Sequence, residues 1–212
     1  MLFRSGKLVD DNFNSFFALA KFGSADQGRY AANAVALKSF FLDIDCGEGK
    51  PYADIEAGLT ALRAFCSATS MPRPTVVKSG RGAHVYWVLD KEIPRIEWKP
   101  FAERLKQLCV EHDLKADASV TTDAARILRV PGTMHLKDIT NPIPVEILHV
   151  AATVSLSAIE AILTPTEDIL KSLEKSQFKR PMDPLTLALM GDWKSTRLNS
   201  SHIPLSRMPS SA

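Results

Sequence analysis

Cysteine is scarce and scattered in this chain, and its scarcity excludes two kinds of structural site. The 212 residues contain three cysteines, Cys46, Cys66 and Cys109, with no CxxC pair among them. A disulfide framework needs paired cysteines and a zinc knuckle needs closely spaced ones, so we expect neither. Unpaired cysteines are typical of a reducing compartment, and we therefore expect a cytoplasmic protein.

The chain also lacks a strong charge of either sign and any long apolar run. Lys and Arg number 26 against 24 Asp and Glu, and a net charge of +2 neither requires nor excludes a polyanionic partner. The apolar stretches are far shorter than a membrane span. Near the N-terminus, Arg4 and Lys7 are followed by LVDDNFN and not by the apolar segment of a signal peptide. We expect a soluble intracellular protein with no membrane partner.

Strand and helix patterns alternate along the chain, and 45% of the residues are hydrophobic, as in an ordinary globular domain. This interleaving predicts an α/β or α+β fold around one mixed sheet. The predicted elements are helices over residues 53–69 and 95–113, a strand–turn–strand over 74–90, strands over 126–130 and 143–150, and a short helix that begins at a capping box of Ser157 and Glu160 and ends near Thr164.

Two carboxylates interrupt an apolar strand pattern in FFLDIDCG, residues 40–47. Because successive side chains of a strand point to opposite faces, Phe41, Asp43 and Asp45 share one face. Like charges on a mostly buried strand repel each other and resist desolvation. A divalent cation such as Mg²⁺ or Mn²⁺ removes that repulsion, and two such ions serve an in-line nucleotidyl displacement. The alternative is a strand end that enters solvent with both carboxylates hydrated.

A second stretch, KSGRGAHVYW, places hydrogen-bond donors around a turn. Gly80 and Gly82 allow backbone N–H groups to approach a ligand closely, and such a nest of donors suits a triphosphate. The alternative is an ordinary hairpin turn with a structural histidine in the core. The side chains that supply donors around this turn are Lys78, Ser79, Arg81 and His84.

A third stretch, DASVTTDAARILRVPGTMHLK, combines carboxylates with cations. Asp117 and Asp123 are candidates for a third acidic ligand. Arg126, Arg129 and Lys137 are candidates for contacts with phosphates or a template. The alternative is a solvated face that makes ordinary salt bridges.

In this order the three stretches resemble the archaeo-eukaryotic primase superfamily, and in particular the primase-polymerase domains of phages and mobile elements. The matching motifs are FLDID, SGRGAHVYW and DAARILRVPGTMHLK, and the resemblance spans about residues 10–150. One position departs from the family pattern. The family pattern predicts Asn at the position where this chain has His135.

The resemblance implies an α+β primase-polymerase core. An RRM-like sheet would carry the acidic strand, and a second small α/β part would carry the hairpin. It also implies that Asp43, Asp45 and a third carboxylate hold two divalent ions, Mg²⁺ or Mn²⁺, with Asp117 the first choice and Asp123 the reserve. The residues implied to bind the triphosphate of an incoming nucleotide are Ser79, Gly80, Gly82, His84, Arg129 and Lys137.

The activity implied by the resemblance is that of a template-dependent nucleotidyltransferase, a DNA primase or primase-polymerase. Its partners would be a single-stranded DNA template, nucleoside triphosphates and a replicative helicase, either separate or in a missing downstream domain. Two alternatives stay open. One is another metal-dependent enzyme with a DxD pair, such as a glycosyltransferase or nuclease, and the other is a catalytically silent nucleic-acid-binding module.

Composition divides the chain into three segments. We predict a catalytic domain over residues 1–165, a linker or truncated start of a downstream region over 166–190, and a non-native, disordered tail over 191–212. The tail contains DWKSTRLNSSH, which closely resembles a translated sequencing adapter and has no helical or alternating apolar pattern. The alternative is a basic DNA-binding arm built on Lys194, Arg197 and Arg207.

Overall fold

The computed structural model describes residues 14–177. The chain divides into two units, residues 1–169 and 170–212, and the described part of the second unit is the end of one helix. The predicted tail over 191–212 lies outside the described residues. Within the described range, no helix combines the length and the apolar character needed to cross a membrane.

Nine strands and five α-helices make up the described part of the chain. The strands are β1 (Phe16–Ala18), β2 (Ala20–Phe22), β3 (Ala34–Ile44), β4 (Thr75–Lys78), β5 (Ala83–Pro94), β6 (Ile127–Arg129), β7 (Met134–His135), β8 (Ile143–Pro144) and β9 (Glu146–His149). The helices are α1 (Ile55–Thr69), α2 (Arg95–Glu111), α3 (Ala118–Thr121), α4 (Leu156–Ile162) and α5 (Glu167–Gln177), and a short 3₁₀ turn covers Ala31–Asn33.

A five-stranded sheet in the order β2-β3-β5-β4-β9 forms the centre of the fold. Its neighbouring strands all pair antiparallel, and two small antiparallel ribbons, β1 with β6 and β7 with β8, lie beside it. The α+β class is therefore confirmed. The expectation of a mixed sheet was wrong, because the strands join through antiparallel pairings and not through parallel crossovers.

Strand β3 is buried along the run that leads to the two carboxylates. Phe40, Phe41, Leu42 and Ile44 have no exposed surface. The ring centroids of Phe40 and Phe41 lie 6.0 and 5.6 Å from that of Trp98 in α2. The Trp98 indole Nε1–H donates to the Ser39 carbonyl oxygen at 2.9 Å, which satisfies its polar atom in the core. This packing fixes the position at which Asp43 leaves the core.

The prediction that Ser157 caps the short helix that ends near Thr164 was wrong by two residues. Helix α4 begins after Ser155, whose Oγ accepts a hydrogen bond from the Ala158 N–H at 3.3 Å. The extended chain before it is held by hydrogen bonds between Val154 and the neighbouring strand β5, through Val88 and Asp90. Because that pairing ends at Val154, the next serine becomes the N-cap.

Candidate nucleotide and metal site

A cavity of about 380 Å³ lies at the end of β3 and receives residues from all three motif stretches. Asp43 and Asp45 come from the first stretch, and Ser79 and Gly82 from the second. The acidic side chains in its lining are Asp43, Asp45, Glu48 and Asp138, and the basic or titratable ones are Lys50, Arg81, Arg129, His135 and Lys137. One cavity thus offers carboxylates for a cation and cations for an anion.

Asp43 is a largely buried carboxylate among other carboxylates. It pairs with His84 across β3 and β5, and its side chain is 20% exposed. Burial raises the pKa of Asp43 to about 6, and repulsion from Asp45 and from Asp117 adds to the rise, while Arg126 and Arg129 oppose it. A cation bound here would relieve this unfavourable charge.

Asp45 follows the end of β3 and makes an ion pair with Lys50. The Lys50 Nζ lies 2.7 Å from the Asp45 Oδ2, and both side chains are about half exposed. The intervening loop turns at Gly47 and Gly49, which both adopt positive φ angles. Because an exposed pair of this kind contributes little to stability, Lys50 can give way to another cation at low cost.

The backbone of Asp117 is hydrogen-bonded to the backbone of Asp43. Its N–H donates to the Asp43 carbonyl oxygen at 2.8 Å, and its side-chain Oδ1 accepts from the N–H and Oγ of Ser119 at the start of α3. Burial by itself raises the pKa of Asp117, but hydrogen bonds from Ser119 and the Val120 N–H outweigh it and hold the pKa below its usual value. The Asp123 carboxylate makes a different local contact, because its Oδ1 accepts a hydrogen bond from the Ala125 N–H at 2.9 Å.

A divalent cation such as Mg²⁺ requires several oxygen ligands around one point. Across residues 14–177, no group of three or more His, Cys, Asp or Glu side chains is gathered closely enough to hold a metal ion. The chemistry fits nonetheless, since hard carboxylate oxygens of like charge surround Asp43. The three-carboxylate site stays a prediction, and the backbone contact with Asp43 favours Asp117 over Asp123.

The glycine turn between β4 and β5 is packed tightly against other parts of the protein. A Cβ atom on Gly82 would lie 2.2 Å from the Ile44 carbonyl oxygen, and one on Gly80 would lie 2.1 Å from Nδ1 of His135. Gly80 also has a positive φ of 115°. We expected these glycines to admit a ligand. The structure shows a second reason for glycine at these positions, because Gly82 lies too close to β3, and Gly80 too close to His135, for a side chain to fit.

His84 lies behind Asp43 and not in the cavity lining. Its side chain is 2% exposed, and its Nε2 is 3.9 Å from the Asp43 Oδ1. Burial lowers the pKa of His84 to about 3, and the positive charges of Arg129 and Arg126 add to this effect. The imidazole is therefore neutral near pH 7. The contact with a triphosphate predicted for His84 stays a prediction.

Arg129 and Lys137 lie in the cavity lining, as their predicted role requires. The Arg129 guanidinium lies 5.5 Å from the ring centroid of Phe16, and its Nη1 donates to the Ser79 carbonyl oxygen at 3.5 Å. Sequence reasoning missed Phe16 and Lys50. Lys50 could have been found from its place in the glycine turn that follows Asp45, whereas no motif marks Phe16.

Comparisons with known proteins bear on the fold. No protein-family model matches the chain, and no curated protein matches it. Among solved structures, the AEP domain of the cyanophage S-2L primase-polymerase (PrimPol) matches with a TM-score of 0.56 and 20% identity, over 74% of this chain and 76% of that one. This chain shares the fold of that AEP domain. The predicted resemblance is thus confirmed at the level of the fold.

Two further solved structures match this chain less well. Primase RepB′ has a TM-score of 0.42 and 15% identity, over 76% of this chain and 46% of that one. The polymerase domain of Mycobacterium tuberculosis ligase D in complex with DNA has a TM-score of 0.44 and 17% identity, over 71% of this chain and 58% of that one.

Proposed function

We propose that the chain is a template-dependent nucleotidyltransferase, a DNA primase or primase-polymerase that acts on single-stranded DNA with nucleoside triphosphates. The observation that carries the proposal is the cavity at the end of β3, which combines Asp43 and Asp45 with Arg129 and Lys137 in a primase fold. A triphosphate bound to divalent ions needs both kinds of group, since its phosphates bind cations and its metal ions bind carboxylates.

The carboxylates would hold two divalent ions, Mg²⁺ or Mn²⁺. In this proposal the ligands are Asp43, Asp45 and Asp117. When bound, such ions stabilise the attacking and leaving oxygens of an in-line displacement at phosphorus. The Asp117 N–H donates to the Asp43 carbonyl oxygen, which keeps the backbones of these two proposed ligands adjacent. The Lys50 Nζ pairs with the Asp45 carboxylate, so a metal ion bound by Asp45 would have to compete with this ion pair.

The basic part of the cavity would bind the triphosphate. Arg129 is held in place by Phe16 and by the Ser79 carbonyl oxygen, so little side-chain freedom is lost when it contacts a phosphate. Lys137 adds a second cation, and Ser79 and Gly82 of the glycine turn border the same space, while Gly80 lies between them in the chain. His84, which lies behind Asp43, is the remaining residue predicted to bind the triphosphate.

The reaction joins nucleotides and releases pyrophosphate. A 3′-hydroxyl oxygen bonds to the α-phosphorus of the bound nucleotide and gives up its proton to solvent, and the bond from that phosphorus to the bridging oxygen of the pyrophosphate breaks. Negative charge then increases on the leaving pyrophosphate, and we assign its stabilisation to Arg129 and Lys137, which both line the cavity. We assign no residue of the chain as general base.

Primer synthesis on a single-stranded DNA circle tests this proposal. Ribonucleotides and deoxynucleotides are supplied separately, each with Mg²⁺ or Mn²⁺, and labelled product is measured. We expect incorporation that requires both template and metal. Sugar transfer or strand cleavage in place of incorporation would favour another DxD enzyme, and DNA binding that persists in EDTA without incorporation would favour a binding module. A replicative helicase stays a predicted partner, and a cytoplasmic location stays a prediction.

A further inference from the structure

Phe16 presents an aromatic ring to solvent directly beside the cavity. The residue is 44% exposed, although it belongs to a strand in which the next residue, Phe17, turns inward to contact the Tyr86 ring at 6.2 Å between centroids. Because neighbouring side chains of a strand point to opposite faces, the inward contact of Phe17 fixes the outward direction of Phe16. Phe16 is opposite Arg129 in the pairing of β1 with β6.

Strand β1 is attached on both sides of Phe16, so the backbone that carries its ring has a defined position. The Ser15 carbonyl oxygen accepts from the Val130 N–H at 3.0 Å, and the Leu19 N–H donates to the Arg126 carbonyl oxygen at 3.2 Å. The Asn14 Oδ1 accepts from the Leu136 N–H at 2.9 Å. Because the strand is already ordered, a ligand that stacks on Phe16 orders only the side chain and not the backbone.

The combination of an exposed ring and a phosphate-binding cation is typical of sites for single nucleotides and single strands. Aromatic faces stack on bases of any sequence, while arginines contact the backbone phosphates and stack on the rings. Arg129 lies 5.5 Å from the Phe16 centroid and also lines the cavity. A nucleotide whose phosphate contacts Arg129 therefore has a π surface within reach of its base.

We infer that Phe16 is a stacking platform for a nucleobase beside the cavity, with Arg129 contacting the adjacent phosphate. This inference rests on the proposed function, because it takes the ligand to be a nucleotide. The base belongs either to the incoming nucleotide or to the template strand, and the two sources share the same stacking chemistry. A different role is to support Arg129 alone, for which any apolar side chain of similar size suffices.

Four variants distinguish stacking from support in the full-length protein. Phe16→Leu keeps an apolar cover over Arg129 and removes the π face, whereas Phe16→Tyr and Phe16→Trp keep it. Tyr30→Leu is the matched control, since Tyr30 is 72% exposed and lies in the turn before β3. Binding is measured for four probes: a deoxynucleoside triphosphate, inorganic tripolyphosphate, oligo(dT), and an abasic oligonucleotide of the same length.

Stacking predicts a loss confined to the probes that carry bases. Phe16→Leu should weaken binding of oligo(dT), of the deoxynucleoside triphosphate, or of both by roughly tenfold, with little change for the abasic strand and tripolyphosphate. Loss for oligo(dT) alone assigns the base to the template, and loss for the triphosphate alone assigns it to the incoming nucleotide. Phe16→Tyr, Phe16→Trp and Tyr30→Leu should bind like the wild type.

Three results would overturn the inference. They are unchanged binding in Phe16→Leu, an equal loss for probes with and without bases, and an equal loss in Tyr30→Leu. Fluorescence of Phe16→Trp gives a reading that needs no loss of affinity, since a stacked base quenches the indole and an abasic strand does not. A wild-type protein that binds oligo(dT) through Phe16 and incorporates no nucleotide would contradict the proposed function and leave the stacking inference standing.

Discussion

Single residues determine the electrostatic character of the site, and Asp43 carries the largest cost. The carboxylate is mostly buried beside two others, and it faces a neutral histidine that cannot offset its charge. A folded-state pKa of about 6 against the usual 3.8 means that the charged form destabilises the fold by on the order of 3 kcal/mol near pH 7. Residues held at such a cost are typical of functional sites.

Asp43→Asn should therefore make the protein more stable in metal-free buffer at pH 7.5. Because the folded state binds the Asp43 proton more tightly than the unfolded state does, wild-type stability falls as pH rises from about 4 to about 6. The advantage of the variant should accordingly be small at pH 4 and disappear below it, once Asp43 is protonated in the unfolded state as well. Thermal melts at pH 4, 5.5 and 7.5 in EDTA measure the difference.

Asp26→Asn is the control for this comparison, since Asp26 is an exposed residue in a turn. Added Mg²⁺ should raise the melting temperature of the wild type and of the control, and should leave Asp43→Asn nearly unchanged. A variant that is less stable than the wild type at pH 7.5, or a difference that does not depend on pH, would show that Asp43 is not under electrostatic strain.

His84→Ala separates two roles for the buried histidine. We expect the KM for nucleotide to rise with a smaller fall in kcat, because a contact present in both ground and transition states acts mainly on binding. The side chain is 2% exposed, so a purely structural histidine predicts a lower melting temperature with an unchanged KM. Steady-state kinetics and thermal melts on one purified variant decide between these results, with His149→Ala on the edge strand β9 as the control.

At the scale of elements, the end of β3 and the glycine turn after β4 form one packed unit. The Ser79 N–H donates to the Gly82 carbonyl oxygen at 2.9 Å and closes the turn. Gly82 then contacts the backbone of Ile44 and Asp45 so closely that no side chain fits between them. The turn therefore holds the strand end that carries both cavity carboxylates.

Gly82→Ala should push the turn away from β3 and disturb the position of Asp45. The added Cβ would lie 2.2 Å from the Ile44 carbonyl oxygen, and we expect a loss of roughly 1–3 kcal/mol in the free energy of unfolding. Incorporation should fall with it. Gly23→Ala is the control, because the nearest atom to its Cβ is the Val35 Cγ1 side-chain atom at 3.2 Å, which can move. Equal melting temperatures for the two variants would contradict this packing argument.

Local sequence patterns predicted which helices and strands are present better than they predicted the residues at which these elements begin and end. The helical spacing over 53–69 and the strand–turn–strand over 74–90 correspond to α1, β4 and β5. The start of α4 and the division of residues 143–150 into β8 and β9 depend on pairing with β5, β4 and β7, which adjacent residues do not reveal. The motifs predicted charged residues of the cavity, because those residues lie in short local stretches. They could not predict the position of Phe16, because it depends on the pairing of β1 with a strand far along the chain.

At the scale of the whole molecule, the proposal assigns the chemistry to the first unit. The predicted catalytic domain over residues 1–165 contains every side chain of the candidate site. Deleting residues 191–212 should therefore leave the melting temperature, template affinity and incorporation rate unchanged. Filter binding to single-stranded DNA, thermal melts and incorporation assays check the three quantities. A clear loss of template binding would show that Lys194, Arg197 and Arg207 form a functional basic arm.

The central claim is that Asp43 and Asp45 hold the metal ions of a nucleotidyl transfer reaction. Its most direct test is the rate of templated nucleotide incorporation by Asp43→Asn and Asp45→Asn, measured with Mg²⁺ and with Mn²⁺ beside the wild type and the Asp26→Asn control. We predict that both site variants fold and lose incorporation with either metal, while the control keeps the wild-type rate. Retention of more than about a tenth of the wild-type rate, a barrier change under roughly 1.4 kcal/mol, would contradict the claim that these residues are catalytic metal ligands.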